Sequence, residues 1–375
     1  MSVSKSRIKI LYLSSFSDVD KGGQISLYNL VKRLDRTVFE PSVLCPNEGA
    51  FTALLSRKGI PIKILDFPPL RVRNLILILR AALRFRRIVL KGGFSLIHSD
   101  APRNTLISAI SLIFTKKKLV WHARVSNRDP IYDPMNKHLV SKIICVSQAV
   151  KGRFEPCPSS KCVVIYNGVD PFKFFPKSSR GQFKQEVGIS NDNILVLTIM
   201  QVIPEKGAEE FVQAAVSLCQ KKTNVSFAVV GVGSDNAYIE KLRGITDPFK
   251  DRVLFVGYRR DIADILNDTD IFVLPSRYLE GLPRVVIEAM ACGVPVVGTD
   301  VEGTNEAVVQ DETGLLVPAR NVDKLTKSIE RLIDDQRLRE QFGKNGRKRA
   351  HEFFGIEEHV KKIEKLYKEL MLGEC

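Results

Sequence analysis

Two carboxylates, Glu280 and Glu288, stand on either side of the turn Gly281-Leu282-Pro283. The turn follows a short apolar run, Ile271 to Leu274, and leads into Arg284-Val285-Val286-Ile287-Glu288-Ala289-Met290-Ala291, a segment with helical patterning. Proline is tolerated near the first helical position because its missing N–H would have no helical partner there. A helix start offers backbone N–H groups and the positive end of the helix dipole, which together attract a phosphate. Two carboxylates bracketing such a start can hold hydroxyl-rich parts of a ligand on either side of a diphosphate. Spacing alone also fits two solvated glutamates, and by itself it decides little.

Other residues carry possible chemistry. Met200-Gln201-Val202-Ile203-Pro204-Glu205-Lys206-Gly207 places Lys206 after a strand, where a cation can meet a phosphate. Lys21-Gly22-Gly23-Gln24 follows the first strand-like run and opens a helix, and paired glycines there let the backbone approach a ligand. His122, in Val120-Trp121-His122-Ala123-Arg124, ends a strand. His98 and Asp100 end the strand before it and are read as structural. Gly231-Val232-Gly233 lacks the third glycine of a dinucleotide fingerprint and is weak evidence for NAD. Asn167-Gly168 tolerates positive φ and shapes a turn before a polar, proline-containing stretch, 171–190, read as the interdomain linker and hinge.

These residues need a scaffold. At 375 residues the chain suits two domains. The first half alternates strand-like runs at 8–13, 41–44, 62–65, 95–98, 119–122, 142–146 and 162–165 with helical patterns at 25–34, 50–57, 105–114 and 148–154. The second half repeats the plan, with strands at 194–199, 225–230, 253–256, 271–274 and 295–297 and helices at 208–221, 236–243, 284–291 and 322–334. Strands separated by helices of this length imply parallel sheets with both faces covered. The expectation is an α/β protein of two Rossmann-like doubly wound domains facing across a cleft, 1–175 and 176–355. The Glu/Lys-rich helix 356–375, apolar along Val360, Ile363, Tyr367 and Leu370, is expected to pack back on the first domain.

Charge divides the halves. Residues 1–175 hold 29 Lys+Arg against 11 Asp+Glu, whereas the remainder holds 28 against 31. A basic half attracts anionic lipid, nucleic acid or phosphorylated substrates. Seven scattered cysteines with no C-x-x-C pair support neither a disulfide framework nor a zinc site. No apolar run reaches the roughly 18–20 residues of a membrane span. The short run after the basic start is read as the first strand of a cytoplasmic protein. From Arg71 to Lys91 the chain has seven basic residues, no acidic ones and many aliphatics. That pattern fits a helix lying peripherally on the inner, anionic face of a membrane, and fits equally a basic helix packed on its own sheet; the charge of the first half tilts the reading toward the membrane.

The stretch around Glu280 and Glu288 resembles the E-x7-E signature of retaining glycosyltransferases of family 4, which have the GT-B fold. The agreement extends through Val253 to Tyr258, Ile271 to Ser276, Gly293 to Asp300, Gly303 to Glu306 and Gly314 to Pro318. The resemblance implies that Glu280 faces the donor sugar and Glu288 binds the nucleotide ribose. Gly281, Leu282, Pro283 and Arg284 would then hold the diphosphate with Lys206, which matches the lysine of a G-R-L-x-x-x-K-G segment. The arginine of that segment is Gln201 here, which supplies neither charge nor a bidentate fork, so Arg277 or Arg284 is a candidate substitute. The resemblance also implies a donor-sugar contact at His122, a glycine loop at Gly22 and Gly23, a UDP- or GDP-linked sugar donor, a glycan or lipid-linked acceptor, and no metal or other cofactor. Two rivals follow from the same features: a GT-B nucleotide-sugar epimerase, and a non-enzymatic basic nucleic-acid-binding protein. The second is disfavoured because the basic segments interleave with aliphatics rather than stacking aromatics, and no nucleic-acid partner is expected.

Overall fold

The computed structural model describes residues 7–19, 22–158 and 160–373. The chain divides into two units, Met1–Gly168 with Ile356–Cys375, and Val169–Gly355. In the first unit the strands are β1 (Ile8–Leu13), β2 (Phe39–Cys45), β3 (Ile62–Ile64), β4 (Leu96–Ser99), β5 (Lys118–Ala123), β6 (Lys142–Cys145) and β7 (Cys162–Val164). They form one sheet in the order β3-β2-β1-β4-β5-β6-β7, and every pair is parallel. In the second unit β8 (Ile194–Ile199), β9 (Val225–Val230), β10 (Val253–Gly257), β11 (Ile271–Leu274), β12 (Val296–Thr299) and β13 (Gly314–Val317) form a parallel sheet in the order β10-β9-β8-β11-β12-β13. Both orders reverse direction once, between β1 and β4 and between β8 and β11. Such reversals leave a crevice outside the carboxyl ends of the strands, where ligands of doubly wound sheets bind.

Burial explains the apolar runs. Ile10, Tyr12, Val43, Leu96, Val120 and Ile144 fill the middle of the first sheet, and Val196, Phe227, Val229, Ile271, Val273 and Val297 fill the second. Central strands of a parallel sheet are covered on both faces, so their sequences run apolar without alternation.

The terminal helix Ile356–Leu372 lies in the first unit. Its Val360, Ile363 and Tyr367 are buried in that unit's core beside Phe39, and Leu370 is partly buried there. Asp35 N donates to Glu364 Oε1 at 2.7 Å, and Arg33 Nε lies 3.2 Å from Glu357 Oε1.

Three details differ from the sequence-based expectations. The chain passes between units at Gly168/Val169, upstream of the expected boundary at 175/176. Most of 171–190 is not a free linker: it carries the helix Gln182–Glu186, whose Phe183 is buried. The carboxylate of Asp268 accepts hydrogen bonds from the backbone N–H of Gly181, Phe183 and Lys184 at 2.5, 2.6 and 3.2 Å. Lys184 Nζ lies 3.0 Å from Asp270 Oδ2. Polarity that reads as solvent exposure is here spent on partners remote in sequence. The strand β13 was also not expected, because Gly314-Leu-Leu-Val is short and has no alternation. A Cβ at Gly314 would stand 2.2 Å from Val296 O, so glycine lets this strand approach β12.

Candidate functional site

The second unit brings Lys206 and Glu280 together at the β8/β11 reversal. Lys206 ends a short 3-10 turn, Pro204–Lys206, after β8, and Gly207 follows in the left-handed region at φ 74°. A Cβ on Gly207 would lie 1.9 Å from Pro275 O, so a side chain there would collide with the end of β11. The glycine therefore locks the lysine turn against the loop that carries Glu280. Lys206 Nζ is 2.6 Å from Glu280 Oε1. Ser276 Oγ donates to the same oxygen at 2.5 Å, and Glu280 N donates to Glu302 O at 2.9 Å. Gly303, at φ 86°, gives way below this loop, since a Cβ there would meet Glu280 O at 2.3 Å. Glu280 is thus held at both backbone and carboxylate, half-hidden from solvent.

Beyond it, Gly281 and the buried Leu282 lead to Pro283, which caps the helix Arg284–Ala291. Proline is therefore the cap and Arg284 the first helical residue. Glu288 is buried, and Arg284 Nη2 donates to its Oε1 at 2.5 Å. The i,i+4 pair fixes an acid and a base on one face of the first turns. A buried carboxylate needs such a partner, because unpaired burial of charge is costly. The arrangement offers two cations and a helix start to an anion, with a carboxylate at each end to accept hydroxyl hydrogen bonds.

Gln201 lies exposed after β8. Arg277, named above as a substitute for the motif arginine, is turned onto the helix Ala208–Lys221: its Nε donates to Glu210 Oε1 at 2.6 Å and its Nη2 to Glu209 Oε2 at 3.4 Å. Arg284 stays at the helix start. Gly231 and Gly233 have a packing reason rather than a dinucleotide one. A Cβ at either would stand 1.8 Å from Met200 O or 2.2 Å from Val202 O. They let the end of β9 lie against the segment that carries Gln201.

The first unit places His122 at the end of β5, fully buried. His122 Nδ1 lies 3.1 Å from His98 Nε2 and 3.4 Å from Arg124 Nη2. His98 Nδ1 in turn lies 2.6 Å from the Tyr367 hydroxyl of the terminal helix. His359 from that helix stacks on His122, ring centroids 6.2 Å apart, and its Nδ1 lies 2.6 Å from Tyr166 O. Burial, and then the charge of Arg124, holds His98 and His122 well below the usual imidazole range. Burial takes His359 to about 4 against the pull of Tyr166 O. The imidazoles are therefore neutral near pH 7 and act as hydrogen-bonding groups, not cations. Asp100, after β4, is pushed up to about 6 by burial, opposed by Arg124. Gly22 and Gly23 open the helix Gly22–Val31, and a Cβ on Gly23 would stand 3.9 Å from Arg124 Cδ. Lys21 of the same motif lies outside the described residues.

Sequence reasoning missed Ser276, His359 and Tyr367 as site-shaping groups. Ser276 had a signal, since it follows β11 directly; the other two come from a helix more than 200 residues away in sequence, and nothing local marks them. Among the described residues no group of three or more His, Cys, Asp or Glu is disposed to hold a metal ion.

Two parallel Rossmann-like units with these reversals define the GT-B class of α/β proteins. The family model "Glycosyl transferases group 1" matches residues 179–349, and "Glycosyltransferase Family 4" matches residues 21–172. The chain is 30% identical to the lipopolysaccharide core biosynthesis mannosyltransferase LpsB of Rhizobium meliloti, over 63% of this chain and 68% of that protein. It is 25% identical to the UDP-Gal:alpha-D-GlcNAc-diphosphoundecaprenol alpha-1,3-galactosyltransferase of Escherichia coli, over 94% of this chain and 98% of that one. Its fold matches Anabaena Alr3699/HepE, solved with UDP and glucose, with a TM-score of 0.84 and 23% identity, covering 97% of this chain and all of that one. The chain belongs to the group 1, family 4 glycosyltransferases.

Proposed function

We propose that the protein transfers a sugar from a UDP- or GDP-linked donor to a glycan or lipid-linked acceptor, with retention of anomeric configuration, in the synthesis of a cell-surface polysaccharide or glycolipid. The observation that carries the reading is the Lys206–Glu280 pair beside a helix start whose second turn holds Glu288. In this reading the second unit takes the donor nucleotide and the first unit takes the acceptor. The bond between the sugar's anomeric carbon and the diphosphate oxygen breaks, and a bond from that carbon to the acceptor oxygen forms. The acceptor hydroxyl passes its proton to the departing diphosphate oxygen, which leaves the anomeric carbon with the electron pair. Negative charge grows on the leaving diphosphate, where Lys206, Arg284 and the helix dipole stabilise it. Glu280 accepts hydrogen bonds from donor-sugar hydroxyls, and Glu288 from the ribose. The family resemblance implies metal independence, so chelators should leave the rate unchanged. The names of the relatives support the acceptor class: one acts on a diphosphoundecaprenol-linked sugar, and another serves lipopolysaccharide core synthesis.

The test begins with a thermal-shift screen of UDP-, GDP- and ADP-sugars to fix the donor. Glu280→Ala and Glu288→Ala should then each cut transfer strongly while the protein stays folded. Full activity in both would remove the assignment. An altered nucleotide sugar formed without any acceptor would establish an epimerase instead.

A further inference from the structure

The helix Leu75–Lys91 presents three faces. Ala81, Phe85 and Val89 are buried against the first unit, so part of the helix is an ordinary packed element. A second face carries Leu75, Leu79 and Leu83 at intervals of four residues, and these are 58–67% exposed. A third carries Arg80, Arg84, Arg87 and Lys91, spaced four, three and four apart, all exposed. Such spacings place each set in its own stripe along a helix. The core needs only the first stripe. Exposed leucines in a row beside a row of arginines are the arrangement of a helix lying in a membrane surface.

A neighbouring turn extends the apolar stripe. Arg86 Nη1 donates to Ser111 O at 2.8 Å and to Ile113 O at 3.0 Å, tying the helix to the end of the helix Pro102–Ser111. Ile113 is exposed, and Phe114 is 101% exposed with φ 64°. A bulky side chain in the left-handed region is a backbone outlier. That strained turn holds an aromatic ring fully in solvent, and Lys116 and Lys117 follow it. A fully hydrated phenylalanine gains nothing from water, whereas an acyl boundary removes its apolar surface from it.

The charges select the occupant. No acidic residue occurs between Asp66 and Asp100, so the helix itself carries no negative group to meet its arginines. A second copy would set arginine stripe against arginine stripe. An anionic bilayer offers phosphates to the basic stripe and acyl chains to the leucines and Phe114 together. Among the described residues no helix is long and apolar enough to cross a membrane, so the contact is with one leaflet. We propose that the first unit docks on anionic lipid surfaces through this composite face, with Leu75, Leu79, Leu83 and Phe114 entering the interface and Arg80, Arg84 and Arg87 on the headgroups. The docking does not depend on what the enzyme transfers.

The full chain should cosediment with vesicles of phosphatidylglycerol and phosphatidylcholine at low salt, bind phosphatidylcholine alone far less, and be released from the mixed vesicles by high salt, where exposed charges are screened. The variant Arg80→Glu/Arg84→Glu/Arg87→Glu should lose the binding. Leu75→Ser/Leu79→Ser/Leu83→Ser should weaken it by at least about tenfold, because the stripe then no longer removes apolar surface from water. Phe114→Ser, a single change at a fully exposed side chain, should weaken it with no loss of thermal stability. Failure of the wild type to bind anionic vesicles at low salt would overturn the proposal. So would equal binding by the arginine-to-glutamate variant, or a wild-type dimer in size exclusion that the serine variant converts to monomer with vesicle binding unchanged.

Discussion

The two sheets reverse strand order in the same way, yet the residues at the two reversals differ in kind. In the second unit the end of β8 and the loop after β11 carry ion pairs, Lys206–Glu280 and Arg284–Glu288, that keep some exposure. In the first unit the ends of β4 and β5 carry His98 and His122, which are buried and neutral and are packed by two residues of the terminal helix. The backbone topology supplies the same crevice twice. What occupies it decides the chemistry: fixed charges suit an anion, whereas uncharged imidazoles suit hydroxyl hydrogen bonds without attracting phosphate. The comparison gives a physical reason why one fold, used twice in one chain, presents two chemically different crevices.

The largest expected effect is on the charged side. Lys206→Ala should lower kcat by about 100-fold if the lysine stabilises leaving-group charge in the transition state, measured by steady-state transfer with the donor fixed by the thermal-shift screen. A change in KM alone would mean that Lys206 only binds the donor, and the contrast between the two reversals would weaken. Gly207→Ala comes next. Its Cβ would collide with Pro275 O in a left-handed conformation, so it should cost about 1–3 kcal/mol of stability and displace Lys206, read together by melting temperature and rate.

The uncharged side makes a pH prediction. His98, His122 and His359 have folded-state values depressed below the unfolded one. The unfolded chain then binds more protons, so the stability these groups contribute is whole above about 6.5 and is lost as pH falls below it. Asp100, raised to about 6, acts in the opposite direction, since its protonation below that value favours the fold. Three histidines against one aspartate predict a net fall in melting temperature from pH 7 to pH 5, and His359→Asn should flatten that slope. A flat profile in the wild type would show that the cluster is not kept neutral. The smallest effect sharpens the donor site: Gln201→Arg restores a guanidinium near Lys206 and should tighten nucleoside-diphosphate binding by roughly tenfold, as a charge-assisted hydrogen bond is worth about 1.5–3 kcal/mol, measured by titration calorimetry.

The strands β1, β8, β9 and β11 were legible to the residue, because a central parallel strand is an apolar run bounded by polar turns. The strand β13, which opens on a glycine, and the five-residue helix Gln182–Glu186 were not, since neither shows a clear period. The Glu280 to Glu288 segment was legible because its glycine, proline and glutamates act within one turn and one helix. The family to which the chain belongs could be read from the same stretch.

The amino-acid sequence by itself determined the two doubly wound sheets, the helix start between the two glutamates and the uneven distribution of charge. All of these depend on neighbours within a few residues or on totals. Only the tertiary structure decided that Arg277 is spent on Glu210, that Ser276 and Lys206 share one oxygen of Glu280, and that His122 is packed by His359. It also decided which stripe of the helix Leu75–Lys91 is buried and which leucines remain in solvent. Partners brought together across tens or hundreds of residues leave no periodic trace in either segment, because each segment satisfies its own local pattern whichever partner it meets.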